Sequence, residues 1–244
     1  MAEGAAAQKP IRAKTTLPAQ PLPSNAERPH INTERLILRP FAQDDLEAYH
    51  AMRVQPEVMK YSLQGRPDRD LAESQAALDA FLPPRDTEVH NCVVALAATG
   101  ELVGVGGCRL GMFMGWPEVG YTFRRECWKL GYATEFLRAF VEAWWKLPRQ
   151  DVEAEVDPVF FPDSTGGNSA AASAGTGEGE GEGDDRREVP EQLVALVEVG
   201  NIGSHRVLEK CGFRRVTEWT EPDCREGSES ANATLIVYAM SRPN

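Results

Sequence analysis

The pattern most able to do chemistry is FRRECWKLGYATEF, Phe123 to Phe136. A β-rich run ends near Phe123, a basic turn containing Gly131 follows, and a regular apolar repeat opens at Ala133 or Thr134. There the free N–H groups of a helix's first turn and the positive end of its dipole converge on one spot. That is a site for an anion such as a pyrophosphate, with Arg124, Arg125 and Lys129 adding charge. The same residues also fit an ordinary strand-to-helix turn in which Gly131 serves only the bend.

Other reactive residue types carry less. His205 reads as a solvent-facing or capping residue, and Cys211, just before Gly212, as a buried small hydrophobe. The run Gly104 to Gly107 lies inside a strand pattern with no helix after it, which predicts close backbone approach or a bulge rather than a nucleotide loop. Trp144 and Trp145 read as core and helix flank.

The elements that must position the turn follow from periodicity. ERLILRPF (Glu34 to Phe41) is a strand stopped by Pro40, followed by a helix carrying Leu46, Tyr49 and Arg53 behind Asp44 and Asp45. Residues 68 to 82 place Leu71, Gln75, Leu78, Phe81 and Leu82 on one stripe that ends at Pro83-Pro84, a second amphipathic helix. HNCVVALAATGELVGVGGCRLG holds two strands split by Thr99-Gly100, and EVGYTF (Glu118 to Phe123) is a third. Ala133, Phe136, Leu137, Phe140, Val141 and Trp144 recur at helical spacing, so Thr134 to Lys146 is a helix, stopped by Pro148. LVALVEV (Leu193 to Val199) is an apolar strand of the buried kind. A short helix lies between Asn201 and Cys211, and two strands close the chain, Phe213 to Trp219 and Thr234 to Met240. DVEAEVDP (Asp151 to Pro158) fits either an edge strand or the start of a linker.

The 244 residues favour one domain or two small ones, and 42% hydrophobic with 26% charged residues is a globular composition. With 37 acidic against 26 basic residues, a net charge of −11, nucleic acid and anionic membrane surfaces are not expected partners. No run approaches the roughly 20 apolar residues that span a bilayer, so a soluble, cytoplasmic protein is expected. The five cysteines are scattered without a CxxC pair, which suits a reducing compartment and predicts no structural zinc. Residues 1–29 hold five prolines and few large apolar side chains and are expected as a disordered N-terminal tail. Residues 163–187, with seven glycines and six acids, are expected as a flexible acidic insertion. Residues 30–244 would then form a single domain interrupted by it.

Trp128-Lys129-Leu130-Gly131-Tyr132-Ala133-Thr134-Glu135 resembles the acetyl-CoA pyrophosphate loop of the GNAT superfamily of N-acetyltransferases. The likeness is to the subgroup containing ribosomal-protein alanine acetyltransferases, where the loop often reads W-G-x-G-Y-A-T-E. TERLILRPF near the start, E-V-G-Y before the loop, and Asn201-Ile-Gly-Ser204 followed by RVLEKCGF match in the same order. Two departures stand out. Lys129 replaces the first loop glycine, which predicts either φ below zero or an altered turn and brings an amine within reach of a phosphate. Leu208 stands where many relatives carry a tyrosine general acid.

The resemblance implies an α+β fold: a central mixed, mostly antiparallel twisted sheet of about seven strands flanked by about four helices and splayed between strands 4 and 5. It implies transfer of acetyl from acetyl-CoA, a cosubstrate used without a metal, to a primary amine of a small molecule, peptide or protein N-terminus. Trp128, Lys129, Leu130, Gly131, Tyr132, Ala133 and Thr134 would hold the cofactor, with backbone groups of Tyr121, Thr122 and Phe123 pairing with pantetheine. Asn201 and Ser204 would meet it at the last helix, where Asn201 is also a good N-cap. Glu118 matches a frequent glutamate and is the general-base candidate, though it also fits an exposed strand-end residue; Ser204 is a candidate proton donor. A non-catalytic acyl-CoA-binding or interaction module with this fold would have much the same sequence.

Overall fold

The structure is a computed structural model that describes residues 9–113, 115–161, 187–226, 228 and 230–243. In chain order it has β1 (Ile11–Pro18), β2 (Ile31–Asn32), β3 (Leu36–Arg39), α1 (Leu46–Arg53), α2 (Pro56–Met59), α3 (Leu71–Asp79), β4 (Val89–Leu96), β5 (Leu102–Phe113) and β6 (Trp116–Phe123). Then follow α4 (Tyr132–Trp145), β7 (Arg149–Val156), β8 (Arg187–Glu188), β9 (Gln192–Glu198), α5 (Ile202–Lys210), β10 (Arg214–Pro222) and β11 (Asn232–Ser241).

Eight strands form the main sheet in the order β10-β11-β9-β6-β5-β4-β3-β2. Every neighbouring pair is antiparallel except β6 and β9, which run parallel and meet through the single pair Glu118–Val194. Past that pair the two strands part, so the sheet is splayed between them. Local chemistry explains the flanking elements. α3 starts where Asp70 accepts the Glu73 N–H at 2.9 Å. The β4–β5 turn passes through Gly100 at φ 76°.

Each face of the sheet buries its own cluster. Phe136, Leu137, Phe140 and Trp144 of α4 and Leu208 of α5 pack on Val119, Phe123, Leu193, Ala195 and Val197. On the other face Tyr49, Met52, Val58, Met59 and Leu78 of α1 to α3 cover Val93, Ala95 and Val105. The glycines expected to permit close approach do so: a Cβ on Gly104 would come within 2.6 Å of the Phe123 ring, and one on Gly106 within 2.4 Å of Phe136. These rings therefore seat directly on the β5 backbone, which fixes α4 against β6.

One reading needs correction here. Residues 9–29 are not a disordered tail, because β1 pairs along its whole length with β7, from Ile11–Val156 to Pro18–Arg149. Together with β8 they form a second, three-stranded sheet, so Asp151 to Val156 belongs to a strand. β1 needs no large apolar residue because it borrows a partner's ladder: Ala13 is fully buried, and Arg12 and Lys14 stand in register with Glu155 and Glu153. Further along, the Arg28 guanidinium donates to the carbonyls of Pro23 at 2.7 Å, Val89 at 2.6 Å and Asn91 at 3.1 Å, and also to that of Asp86. The mixed, mostly antiparallel sheet agrees with the fold that the resemblance implies, with eight strands in the main sheet and five helices among the described residues. The acidic insertion at 163–187 lies outside the described residues except for Arg187, which opens β8.

At the far end of α4 a buried ion pair locks the two sheets together. Arg149 Nε donates to Glu191 at 2.8 Å, and its other nitrogens bond the carbonyls of Leu147 and Trp144 at 2.7 and 2.9 Å. Thr16 of β1 adds a hydroxyl to the same carboxylate at 3.1 Å. The N-terminal strand is thereby tied to the helix whose other end is the candidate anion site. Among the described residues no helix is long and apolar enough to cross a membrane.

Candidate active site

The turn before α4 has the geometry that an anion needs. Gly131 is the N-cap at φ 86°, a left-handed conformation in which glycine carries no Cβ penalty. Its carbonyl accepts the first helical N–H groups, from Thr134 and Glu135, both at 3.1 Å. Among the described residues the N–H groups of Lys129, Leu130, Gly131, Tyr132 and Ala133 have no protein acceptor. Five backbone donors at the positive end of a 14-residue helix are therefore left for a ligand.

Lys129 has φ 65° and is the sole non-glycine residue in the left-handed region among those described. The lysine thus adopts a glycine-like conformation, so of the two alternatives for Lys129, φ below zero does not hold. The cost follows from the Cβ, about 1–2 kcal/mol for a left-handed L-residue. Lys129→Gly would remove that cost while giving the unfolded chain more freedom, so we expect stability to rise by no more than about 1 kcal/mol. Urea denaturation reads it, and a loss of stability would mean that the lysine side chain contributes more than its backbone costs.

The charge around the turn differs from expectation. Arg124 is paired with Glu101 at 2.7 Å and Glu126 at 2.6 Å, and Arg125 with Glu57 at 2.6 Å. Both arginines fasten the loop to its surroundings and are not free cations at the anion site. Among the described residues Lys129 has no carboxylate partner. Trp128 is also structural, since its Nε1 donates to the Phe123 carbonyl at 2.8 Å. That carbonyl is therefore already occupied by the protein.

A clamp that sequence reading missed holds the loop from below. Glu135 accepts from Thr33 Oγ1 at 2.6 Å, from the Arg35 N–H at 2.9 Å and from Arg35 Nε at 2.7 Å. Arg35 Nη1 reaches the Leu130 carbonyl at 3.0 Å, and its guanidinium lies 4.8 Å from the Tyr132 ring centre. Burial alone would raise the Glu135 carboxyl, but the bonds from Thr33 and Arg35 outweigh it and hold the group below the ordinary carboxylate range. The signal was present in TERLILRPF and in the last residue of the WKLGYATE run, without anything to join them. A groove of about 910 Å³ beside this clamp is lined by His30, Arg35, Thr134, Arg138, Lys146 and Lys210 among others.

Glu118 sits where β6 and β9 part. Val119 and Phe123 belong to the cluster under α4, so Glu118, Gly120 and Thr122 point to the opposite face, toward α1 to α3. Glu118 stands in register with Arg109 of β5. Burial raises its carboxyl above the ordinary value, and the positive charge of Arg109 only partly offsets this. It is half-buried and not an exposed strand end.

On the α4 side, Asn201 caps α5 by accepting the Ser204 N–H at 3.2 Å. The Ser204 carbonyl in turn receives Tyr121 Oη at 3.4 Å. Tyr121, Asn201 and Ser204 are thus brought together at one wall of the splay, with residues 128–134 at its outer end. His205, expected at the surface, is buried: its ring nitrogens lie 3.2 Å from Tyr238 Oη and 3.2 Å from the Glu198 carbonyl. Cys211 is half-buried, its thiol 3.7 Å from the Thr134 carbonyl.

The opposite mouth of the splay is spanned by contacts of the loop at residues 60–68 with the segment at 223–226 and with the end of β9. Arg225 donates to the Lys60 carbonyl at 3.1 Å and pairs with Glu198 at 2.7 Å, while Tyr61 Oη donates to the Gly200 carbonyl at 3.0 Å. Arg66 pairs with Glu226 at 2.9 Å. The Arg53–Asp68 pair, at 2.5 Å, secures the 60–68 loop to α1. Anion donors at the start of α4 and a half-buried carboxylate where β6 and β9 part form an arrangement that suits transfer between two substrates.

The model of the acetyltransferase (GNAT) domain matches residues 35–214. No curated protein sequence matches the chain. Among solved structures, a GNAT-family acetyltransferase from Bacillus anthracis is 20% identical with a TM-score of 0.57, covering 88% of this chain and 99% of its own. Spermidine N-acetyltransferase from Vibrio cholerae, in complex with CoA and spermine, is 14% identical at a TM-score of 0.57, covering 86% of this chain and 97% of its own. A Vibrio cholerae protein described as a ribosomal-protein-serine acetyltransferase is 17% identical at 0.53, covering 87% of this chain and 97% of its own. At these identities the likenesses show a common fold.

Proposed function

Because the chain belongs to the GNAT acetyltransferase family and is an acyltransferase, we propose that it moves the acetyl group of acetyl-CoA to a primary amine, with Glu118 as the general base. The observation that carries this reading is the pairing of five N–H groups at the start of α4, without an acceptor among the described residues, with a half-buried carboxylate at the point of splay.

The residues fit coenzyme A. Lys129 to Ala133 offer backbone N–H groups to the pyrophosphate, with Thr134 in the same first turn and the exposed Trp128 and Leu130 at the rim. The edge of β6 that faces β9 has no ladder beyond Glu118, so the backbone of Tyr121 and Thr122 and the N–H of Phe123 are the place for an extended pantetheine arm. Asn201 and Ser204 would meet that arm at the start of α5. Acetyl-CoA would supply the thioester, the activated acyl group of the reaction.

An ammonium must lose a proton before it attacks, and its pKa is about 8 for an α-amine or above 10 for a lysine-like one. Glu118 accepts that proton directly or through one water, and its raised pKa makes it a stronger base than an exposed carboxylate. The acidic chain favours cationic acceptors by steering. A small amine, as in the spermidine enzyme, and a protein N-terminus both satisfy this chemistry. The setting for either is the cytoplasm.

The experiment is release of free thiol from acetyl-CoA against pooled peptides and small amines. Release with one class of amine assigns the acceptor. Binding of coenzyme A with no release from any pool would sink acetyl transfer and leave a binding module.

A further inference from the structure

Acyl transfer leaves one proton to be placed. When nitrogen has attacked the thioester carbonyl and the carbon–sulfur bond breaks, sulfur departs as a thiolate and needs a donor beside it. Leu208, fully buried on α5, has no proton to give. His205 is buried and has both ring nitrogens engaged, with Tyr238 and with the Glu198 carbonyl.

Tyr121 is placed differently. It lies three residues beyond Glu118, in the open part of the splay, on the face toward α4 and α5 where the coenzyme arm would run. Its ring is held edge-on by Phe123 and Phe136, with centroids 6.3 and 6.0 Å away. Its hydroxyl crosses the cleft to the first turn of α5. The bond it makes there, 3.4 Å to the Ser204 carbonyl, is long for O–H···O, so the proton is free to turn to a stronger acceptor.

We propose that the Tyr121 hydroxyl donates the proton to the departing coenzyme A thiolate, making Tyr121 a catalytic residue; this rests on the acetyl-transfer reading above. The nitrogen lone pair forms the C–N bond, and the amine proton passes to Glu118. The C–S pair leaves on sulfur, and the Tyr121 proton moves to it to give the thiol. Solvent reprotonates the phenolate and takes the proton from Glu118 as products leave, so amine and acetyl-CoA become amide and free coenzyme A. Burial holds the phenol well above its ordinary value, so it carries its proton at neutral pH.

The test uses the full chain with Tyr121→Phe, which keeps the ring packing, and with 3,5-difluorotyrosine at the same position, which keeps an O–H of lower pKa. Turnover in Tyr121→Phe should fall by at least about tenfold, the lower end of general acid catalysis. Calorimetric affinity for coenzyme A should change much less. The ionisation of bound coenzyme A, followed by thiolate absorbance against pH, should move to higher pH in Tyr121→Phe because the thiolate loses its hydrogen bond. Difluorotyrosine should restore turnover and shift the alkaline limb of kcat to lower pH. Unchanged turnover and thiol ionisation in Tyr121→Phe overturn the proposal, as does a loss of turnover matched by loss of coenzyme affinity. A wild type that binds no coenzyme A fails the transfer reading and this proposal with it, whereas an active wild type with an equally active Tyr121→Phe fails this proposal alone.

Discussion

Glu118→Gln is expected to cut turnover roughly 100-fold or more, the usual scale for loss of a general base, and to leave coenzyme A affinity nearly unchanged. The separation follows from geometry. Glu118 points to the face of α1 to α3, whereas the anion donors sit at the start of α4 at the other end of β6. The base works only when deprotonated, and burial raises its pKa, so the acidic limb of kcat/KM should lie above the ordinary carboxylate value. Linkage gives a second readout. A carboxyl whose folded pKa is raised contributes most to stability below its unfolded pKa and loses that contribution as pH rises through the folded value. Glutamine carries no such charge, so Glu118→Gln should be no less stable than wild type near neutrality, with any advantage vanishing in acid. Equal turnover across pH in the two proteins would remove Glu118 from the mechanism, and a drop in stability at neutral pH would make it a folding residue.

The parts of the fold legible in the sequence are those whose signal is local. α4 shows its buried stripe at helical spacing, and β9 its apolar run, because each packs one continuous face against the sheet. β1 was not legible: its buried positions are small, and its charges are answered by Glu153 and Glu155, more than a hundred residues away. Composition therefore counted as disorder what is a strand paired by complementarity. The same blindness affects the site. Arg124 and Arg125 read as cations for a phosphate, yet Glu101, Glu126 and Glu57 already hold them. His205 read as exposed because its partners come from β9 and β11. Backbone geometry was legible only in part: Gly131 marked a bend, which the structure shows as left-handed, while Lys129 adopts the same region against its residue type.

That turn carries the last expected result, that Gly131→Val weakens coenzyme A binding by at least 1.4 kcal/mol, about tenfold, while the protein stays folded. Gly131 has φ 86°, and valine, branched at Cβ, tolerates that region worse than almost any residue. A Cβ at this position would also lie 3.3 Å from Arg35 Nη2, the guanidinium that braces Leu130 and Glu135. The side chain must either push Arg35 aside or rotate the peptide, and both redirect the N–H groups of residues 129–133, which have no acceptor among the described residues. The core beneath α4 is not touched, since Phe136, Phe140 and Trp144 lie further along the helix. Binding should therefore fall by more than stability does. Calorimetric titration of coenzyme A into both proteins, with circular dichroism as the folding control, reads the difference. Equal affinities would sink the loop as the pyrophosphate site, and a variant that unfolds would show the turn to be structural first; Gly131→Ala, with one methyl group in the same place, would then be titrated as the milder variant and should give a smaller loss in the same direction.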